Sequence, residues 1–301
     1  MTLPPFLQPR STIAITCPSG FLMRSHAEMA RETLTDWQLN VEIGESVGHE
    51  WHYFSGDDDF RRNELQSLLD RPDVAAIMAG RGGYGLSRII DQLDFSTFKK
   101  HPKWIIGFSD ITVLHSQIHT QCGITSIHGP MCHAFMERDT HLPHLEMLKN
   151  MLSGEPSHYI AKRHELNRCG YATGILTGGN LAILAHLCGS VSQPDTKEKI
   201  LFIEDVGEYI YALDRMMLGL KRAGMLDNIA GLICGGFTEL KDTDRPFGMG
   251  VPELIMEKVA EYDYPVCFDF SAGHIRDNYP LMLGRKHSLT IQEDLVQLRS
   301  L

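Results

Sequence analysis

The sequence predicts an α/β protein. Its N-terminal part is a mostly parallel open sheet flanked by helices, and a smaller mixed α/β domain follows. Three observations point there. Short apolar runs alternate with stretches of helical spacing along most of the chain, the signature of βαβ units. The length, 301 residues, accommodates two cores. The composition, 43% apolar and 22% charged, is that of an ordinary globular protein.

Taken in order, the residues of Ser11–Cys17 read as a strand, His26–Gln38 as a helix and Val41–Ile43 as a short strand. Asp57–Asp70 is a helix with a charged face, Val74–Met78 a strand, Leu86–Gln92 a helix, Trp104–Phe108 a strand and Ile111–Gln121 a helix; Ile124–Ile127 closes the series. From about Pro130 to Arg168 the pattern weakens, leaving one helix near His144–Leu152 and then a linker. Beyond it, Tyr171–Leu176 reads as a strand leading into a helix at Leu181–Leu187. Strands at Lys199–Ile203, Ala230–Cys234, Val266–Phe270 and His287–Ile291 alternate with helices at Ala212–Ala223 and Pro252–Glu261. The expected division is an N-terminal domain over 1–140, a linker over 141–170 and a C-terminal domain over 171–301.

A net charge of −10 argues against nucleic acid or an anionic membrane surface as partner. The seven cysteines are scattered, without CxxC spacing, so neither a disulfide framework nor a zinc knuckle is expected. The N-terminus lacks a basic segment followed by a long apolar one, and no apolar run approaches the roughly 20 residues of a membrane span. A cytoplasmic protein is the expectation.

The stretch KWIIGFSDITVLHSQI (103–118) places Ser109 and Asp110 where a buried strand gives way to a helix. A serine there is most often a helix cap. Yet Gly107-Phe108-Ser109 matches the first part of a nucleophile elbow, although Ile111 stands where the motif has a second glycine. A serine nucleophile needs a base, and the base needs an orienting acceptor. Two other strand ends offer them: Lys199–Ile203 delivers Glu204, and Val266–Phe270 delivers His274. The bland alternatives are a carboxylate leaving a strand for solvent and a loop imidazole beside a glycine. Chain order Ser, acid, His is one of the workable orders.

Gly80, Gly82 and Gly85 fit GxGxxG after a strand, with Asp110 downstream, which also reads as a dinucleotide-binding fingerprint. That fingerprint belongs to a first βαβ unit, whereas here other elements come first. The same glycines can instead supply oxyanion donors, and Arg81 among them can pair with a carboxylate. His115 and His119 have i, i+4 spacing but lack the Glu of HExxH, and His128, His133, His141 and His144 are loosely scattered, so no metal is assigned.

As a set, RGGYG (81–85), GFSD (107–110), HGPM (128–131), GGNL (178–181), IEDVGE (203–208) and AGH (272–274) make the chain resemble the LD-carboxypeptidases, the muramoyl-tetrapeptide carboxypeptidases of cell-wall recycling. One departure follows the histidine, where the family tends toward a compact Pro-Leu-Gly and this chain runs Tyr279-Pro280-Leu281-Met282-Leu283-Gly284. The resemblance implies a cytoplasmic, homodimeric serine peptidase with the triad Ser109, Glu204 and His274. It would release terminal D-alanine from murein tetrapeptides, free or muropeptide-linked, without a cofactor. Backbone N–H groups of Asp110 and Gly83 are the expected oxyanion hole, and Arg81 with Gly82 the expected substrate contacts. The microcin-immunity peptidases, which share the triad and act on acyl or peptidyl nucleotides, are the alternative within the same resemblance.

Overall fold

A computed structural model describes residues 1–137 and 142–301. The chain divides into two compact units, Met1–Glu155 with Tyr279–Met282, and Pro156–Asn278 with Leu283–Leu301. The expected boundary at 140/141 lies outside the described residues.

The first unit runs β1 (Thr12–Thr16), α1 (Arg24–Asp36), β2 (Asn40–Ile43), α2 (Asp58–Asp70), β3 (Val74–Ala79), α3 (Ser96–Lys100), β4 (Trp104–Gly107), α4 (Thr112–Cys122), β5 (Ser126–His128) and α5 (Pro143–Ser153). The second runs β6 (His158–Ala161), β7 (Gly170–Asn180), α6 (Leu181–Leu187), β8 (Ile200–Val206), α7 (Ile210–Arg222), β9 (Gly231–Thr238), α8 (Val251–Lys258) and β10 (Val266–Cys267). The chain then gives β11 (Leu281–Leu283) to the first sheet and ends with β12 (Lys286–Ile291) and β13 (Val296–Ser300) in the second.

The first sheet has the order β11-β5-β4-β3-β1-β2, and the pairs from β2 to β5 are parallel. The order reverses between β1 and β3, and at such a switch point the carboxyl ends of the strands leave a crevice for ligands. All four residues of β4 are buried, as its unbroken apolar sequence requires of a central parallel strand. Local chemistry sets the helix ends. Asp57 caps α2 by accepting the Phe60 N–H, Pro143 opens α5, and Gly123 and Gly154 close α4 and α5 in the left-handed conformation.

The second sheet, β10-β9-β8-β7-β12-β13-β6, is parallel from β7 to β10 and antiparallel from β7 to β6. This mixture follows from the sequences. β8 is apolar and buried along most of its length, whereas β12 alternates buried and open positions. The helix expected near His144–Leu152 is α5, and the stretch after it carries β6.

Three element boundaries or types differ from expectation. Leu86–Gln92 is not an α-helix but two single 3-10 turns, closed by i to i+3 bonds after Gly85. β8 continues past Ile203, so Glu204 lies within the strand, and β10 stops at Cys267. No helix among the described residues is long and apolar enough to cross a membrane.

Candidate active site

The first unit shapes Ser109 through its backbone. β4 ends at Gly107, Phe108 is extended, and Ser109 turns into the left-handed region with φ of 65°. For a residue with a Cβ this costs about 1–2 kcal/mol, so the surroundings must hold it. The Gly107 carbonyl accepts bonds from His115 Nε2 (2.8 Å) and the Gly129 N–H (3.1 Å). Asp110 is buried, and its Oδ2 accepts from Ser19 Oγ (2.6 Å) and the Leu86 N–H (2.9 Å). The turn is thus fastened on both sides of the serine.

The glycine loop after β3 lies against it. A methyl group on Gly82 would stand 2.8 Å from Ser109 Cβ and 3.0 Å from its Oγ, so only glycine permits this approach. The Gly82 carbonyl accepts the Gly20 N–H at 3.0 Å. Arg61 braces the loops from behind. Fully buried, it donates to the carbonyls of Pro18 (2.5 Å), Gly85 (3.2 Å) and Gly56 (3.1 Å), with Asp58 as its ion-pair partner. Burial is the largest influence on its pKa and lowers it. Arg81 is exposed, and its Nη1 donates to the Phe21 carbonyl at 2.9 Å.

These contacts count against the dinucleotide reading of Gly80, Gly82 and Gly85. No α-helix begins directly after Gly85, where two 3-10 turns follow instead, so the glycine loop lacks the helix N-terminus that would hold a pyrophosphate. The carboxylate of Asp110, assigned to a ribose in that reading, is bonded to Ser19 and Leu86 instead.

The second unit shapes His274 through charge. Glu204 is 0% exposed, and its Oε2 accepts from His274 Nδ1 at 2.6 Å and from the His274 N–H at 3.1 Å. The carboxylate therefore turns inward, contrary to the solvated alternative. The register between β8 and β9 shifts between Ile203 and Asp205, a bulge of the kind that re-aims a side chain. Gly273, at φ 107°, bridges Gly236 of β9; a methyl there would come within 2.7 Å of Glu204 Cβ and Oε2. The Asn278 side chain accepts the Gly273 N–H (2.8 Å), and the Thr238 hydroxyl donates to the His274 carbonyl (2.9 Å).

Because an ionised carboxylate only accepts, the neutral imidazole carries its proton on Nδ1 and keeps the Nε2 lone pair. Burial pulls the His274 pKa down, but the hydrogen bond to Glu204 and the charges of Glu204, Asp205 and Glu239 outweigh it, and the net shift is upward. Asp205 is buried too, accepting from Asn180 Nδ2 (3.0 Å) and the N–H groups of Ala182 (2.9 Å) and Val206 (2.8 Å). Desolvation pushes its pKa up to about 6.

Sequence reasoning selected Ser109, Glu204 and His274 but not Ser19, Arg61, Asn180 or Asp205. Arg61 sits in DDFRRNEL, which reads as a solvated helix face. Asn180 and Asp205 do lie inside GGNL and IEDVGE, so the only signal for them was their place in those motifs.

Comparison with known proteins bears on both units. The family model for the LD-carboxypeptidase N-terminal domain matches residues 13–129, and that for the LD-carboxypeptidase C-terminal domain matches residues 173–289. A Bacillus subtilis (strain 168) protein named as a probable murein peptide carboxypeptidase is 30% identical over 96% of this chain and 92% of its own. The crystal structure of muramoyltetrapeptide carboxypeptidase from Oxalobacter formigenes superposes with a TM-score of 0.88 at 28% identity, covering 96% of this chain and 98% of that one. A microcin C7 self-immunity protein, solved with adenosine monophosphate, shares the fold with a TM-score of 0.87 at 23% identity, covering 99% and 98%.

Proposed function

The chain belongs to the LD-carboxypeptidase family of serine carboxypeptidases, and from that membership we propose that it hydrolyses the L,D-peptide bond releasing terminal D-alanine from murein tetrapeptides. The observation that carries the mechanism is the buried Glu204 carboxylate, 2.6 Å from His274 Nδ1.

Ser109 Oγ attacks the carbonyl of the L-centre and passes its proton to His274 Nε2. Glu204 holds the imidazole in the reactive tautomer and stabilises the imidazolium. The Asp110 and Gly83 N–H groups receive the oxyanion; one such donor lowers the barrier by about 3–4 kcal/mol. Two features support these donors: Asp110 directly follows the strained serine, and Gly83 follows the glycine pressed against it. His274 then protonates the D-alanine amine, the C–N bond breaks, and water attacks the acyl-enzyme with His274 again as base. No step needs a cofactor. Arg81, with its exposed guanidinium, is assigned to the terminal carboxylate.

The seven free cysteines fit a reducing cytoplasm, where murein peptides are recycled, and the enzyme is taken to act there as a homodimer. The acyl-nucleotide alternative draws on structures whose identity, 23% for the example above, supports the fold alone. The deciding assay measures D-alanine from tetrapeptide, with tripeptide and pentapeptide as controls. Release from tetrapeptide that EDTA leaves unchanged is expected; no release from it sinks the proposal.

A further inference from the structure

Beside the glycine loop stands a strip of aromatic rings that the peptidase chemistry does not use. Trp51, Tyr53 and Tyr84 are 41%, 53% and 48% exposed, although all three are large. Phe54 links them, with ring centroids 5.4 Å from Tyr53, 6.0 Å from Tyr84 and 6.1 Å from Trp51.

The strip is a built surface. Trp51 and Phe54 exchange two backbone hydrogen bonds of 3.0 Å across a tight turn, in which His52 has φ of 54°. Phe54 bridges Gly20, and the Phe21 N–H donates to the Tyr53 carbonyl at 3.2 Å. The Arg61 and Arg88 guanidiniums lie 4.8 and 5.5 Å from the Phe54 centroid and support that ring. The strip also reaches the candidate active site. A methyl on Gly83 would meet the Tyr53 hydroxyl at 2.9 Å, and Gly82, one residue earlier, touches Ser109.

We propose that Trp51, Tyr53 and Tyr84 form a stacking subsite for the amino-sugar ring of sugar-linked murein peptides. This rests on the murein-peptide reading above. Large exposed rings grouped around one shared ring, rather than scattered singly, are a feature of binding surfaces. The leaving amino acid has only a methyl side chain and needs no such surface. What remains of the substrate is the acyl peptide and the sugar acid named in the muramoyltetrapeptide carboxypeptidase. A pyranose offers a flat face of C–H bonds that packs on an aromatic ring while its hydroxyls stay in water, and the tyrosine hydroxyls suit its rim. Three extended residues cover about 10 Å. Phe54 joins Tyr53 to Trp51 by ring steps of 5.4 and 6.1 Å, steps of the size of one sugar ring.

The test compares kcat/KM for disaccharide-linked tetrapeptide and free tetrapeptide in the wild type, Trp51→Ala and Tyr84→Ala. The wild type is expected to prefer the sugar-linked substrate, and each variant to reduce that preference about tenfold. A wild type without preference, or variants that lose both substrates equally, overturns the subsite. In parallel, Trp51 fluorescence is followed on titration with the disaccharide peptide, the free peptide and adenosine monophosphate, with Trp51→Phe as blank. A Trp51-dependent change with the disaccharide peptide alone supports the subsite. No change, or a change with the nucleotide only, overturns it. This arm needs no turnover, so absence of D-alanine release would sink the peptidase reading while the fluorescence still judged the subsite.

Discussion

The first unit prepares Ser109 by geometry and the second prepares His274 by electrostatics. Around Ser109 the working parts are a left-handed backbone, a glycine whose missing methyl lets a neighbouring loop close in, and carbonyls held from several sides. Around His274 they are a carboxylate removed from water inside a strand, a second buried carboxylate beside it, and a glycine that lets the histidine loop approach. With Ser109 as the proposed nucleophile and His274 as the proposed base, the first must be aimed and the second must hold the right tautomer and pKa. Backbone strain suits the first demand, and burial and charge suit the second. Glycine serves both, because close approach is common to both.

The largest expected effect asks whether the two preparations serve one reaction. Ser109→Ala and His274→Ala should each reduce D-alanine release by at least about 10⁴-fold, and the double variant should be no worse than either alone. Losses that multiply in the double variant would mean that the two residues act in separate processes. Next comes Glu204→Gln, which retains the shape of the acceptor but removes its charge. It should lower kcat by about 10⁴-fold. It should also lower the His274 pKa, because the hydrogen bond and charge that raise it would be weakened while burial still depresses it. The acidic limb of residual activity, where imidazole protonation removes the base, should then move to lower pH.

The glycines test the feature common to both units. Gly82→Ala pushes a methyl onto Ser109, and Gly273→Ala pushes one onto Glu204 at a positive φ. Each should reduce kcat about 10²-fold, the usual consequence of a shift near 1 Å. Only Gly273→Ala should also move the pH profile, because it alone disturbs the imidazole's partner. Identical pH profiles for the two would contradict the division of labour. Smaller still is Arg81→Ala, expected to raise KM for tetrapeptide about tenfold with kcat nearly retained. An unaltered KM would assign the terminal carboxylate to another group.

How much of this could be read in the residues follows the same division. The parallel core was legible because strands such as β1, β3 and β4 are nearly unbroken apolar runs. The strands β6 and β13 escaped notice because HYIA is only four residues long and VQLRS alternates apolar with polar residues, in line with their half-open environment. Gly107-Phe108-Ser109 announced a sharp turn by its composition alone. The bulge that turns Glu204 inward had no local signature, since it depends on a contact 70 residues away. Arg61 was invisible for a related reason: on a charged helix nothing marks the one arginine whose donors are consumed by buried carbonyls.

The smallest expected effect isolates the second unit's electrostatics. Asp205, with its pKa pushed up to about 6 by burial, is ionised at neutral pH and adds to the field that keeps the His274 pKa high. Asp205→Asn removes the charge and leaves one accepting oxygen, which can retain the Asn180 and Val206 donors of Oδ1 but not the Ala182 N–H that Oδ2 accepts, and the expected change is a downward move of the acidic limb by less than one pH unit. Stability gives an independent sign. An aspartate whose folded pKa lies above its unfolded value of 3.8 binds more protons folded than unfolded between about 4 and 6, so its contribution falls as pH rises through that window. Asp205→Asn removes that fall. Relative to wild type, the variant's unfolding free energy should therefore compare more favourably at pH 8 than at pH 4 in urea titrations. The opposite ordering would mean that Asp205 is stabilised as the anion by its three donors, and that burial is not what governs the charge around His274.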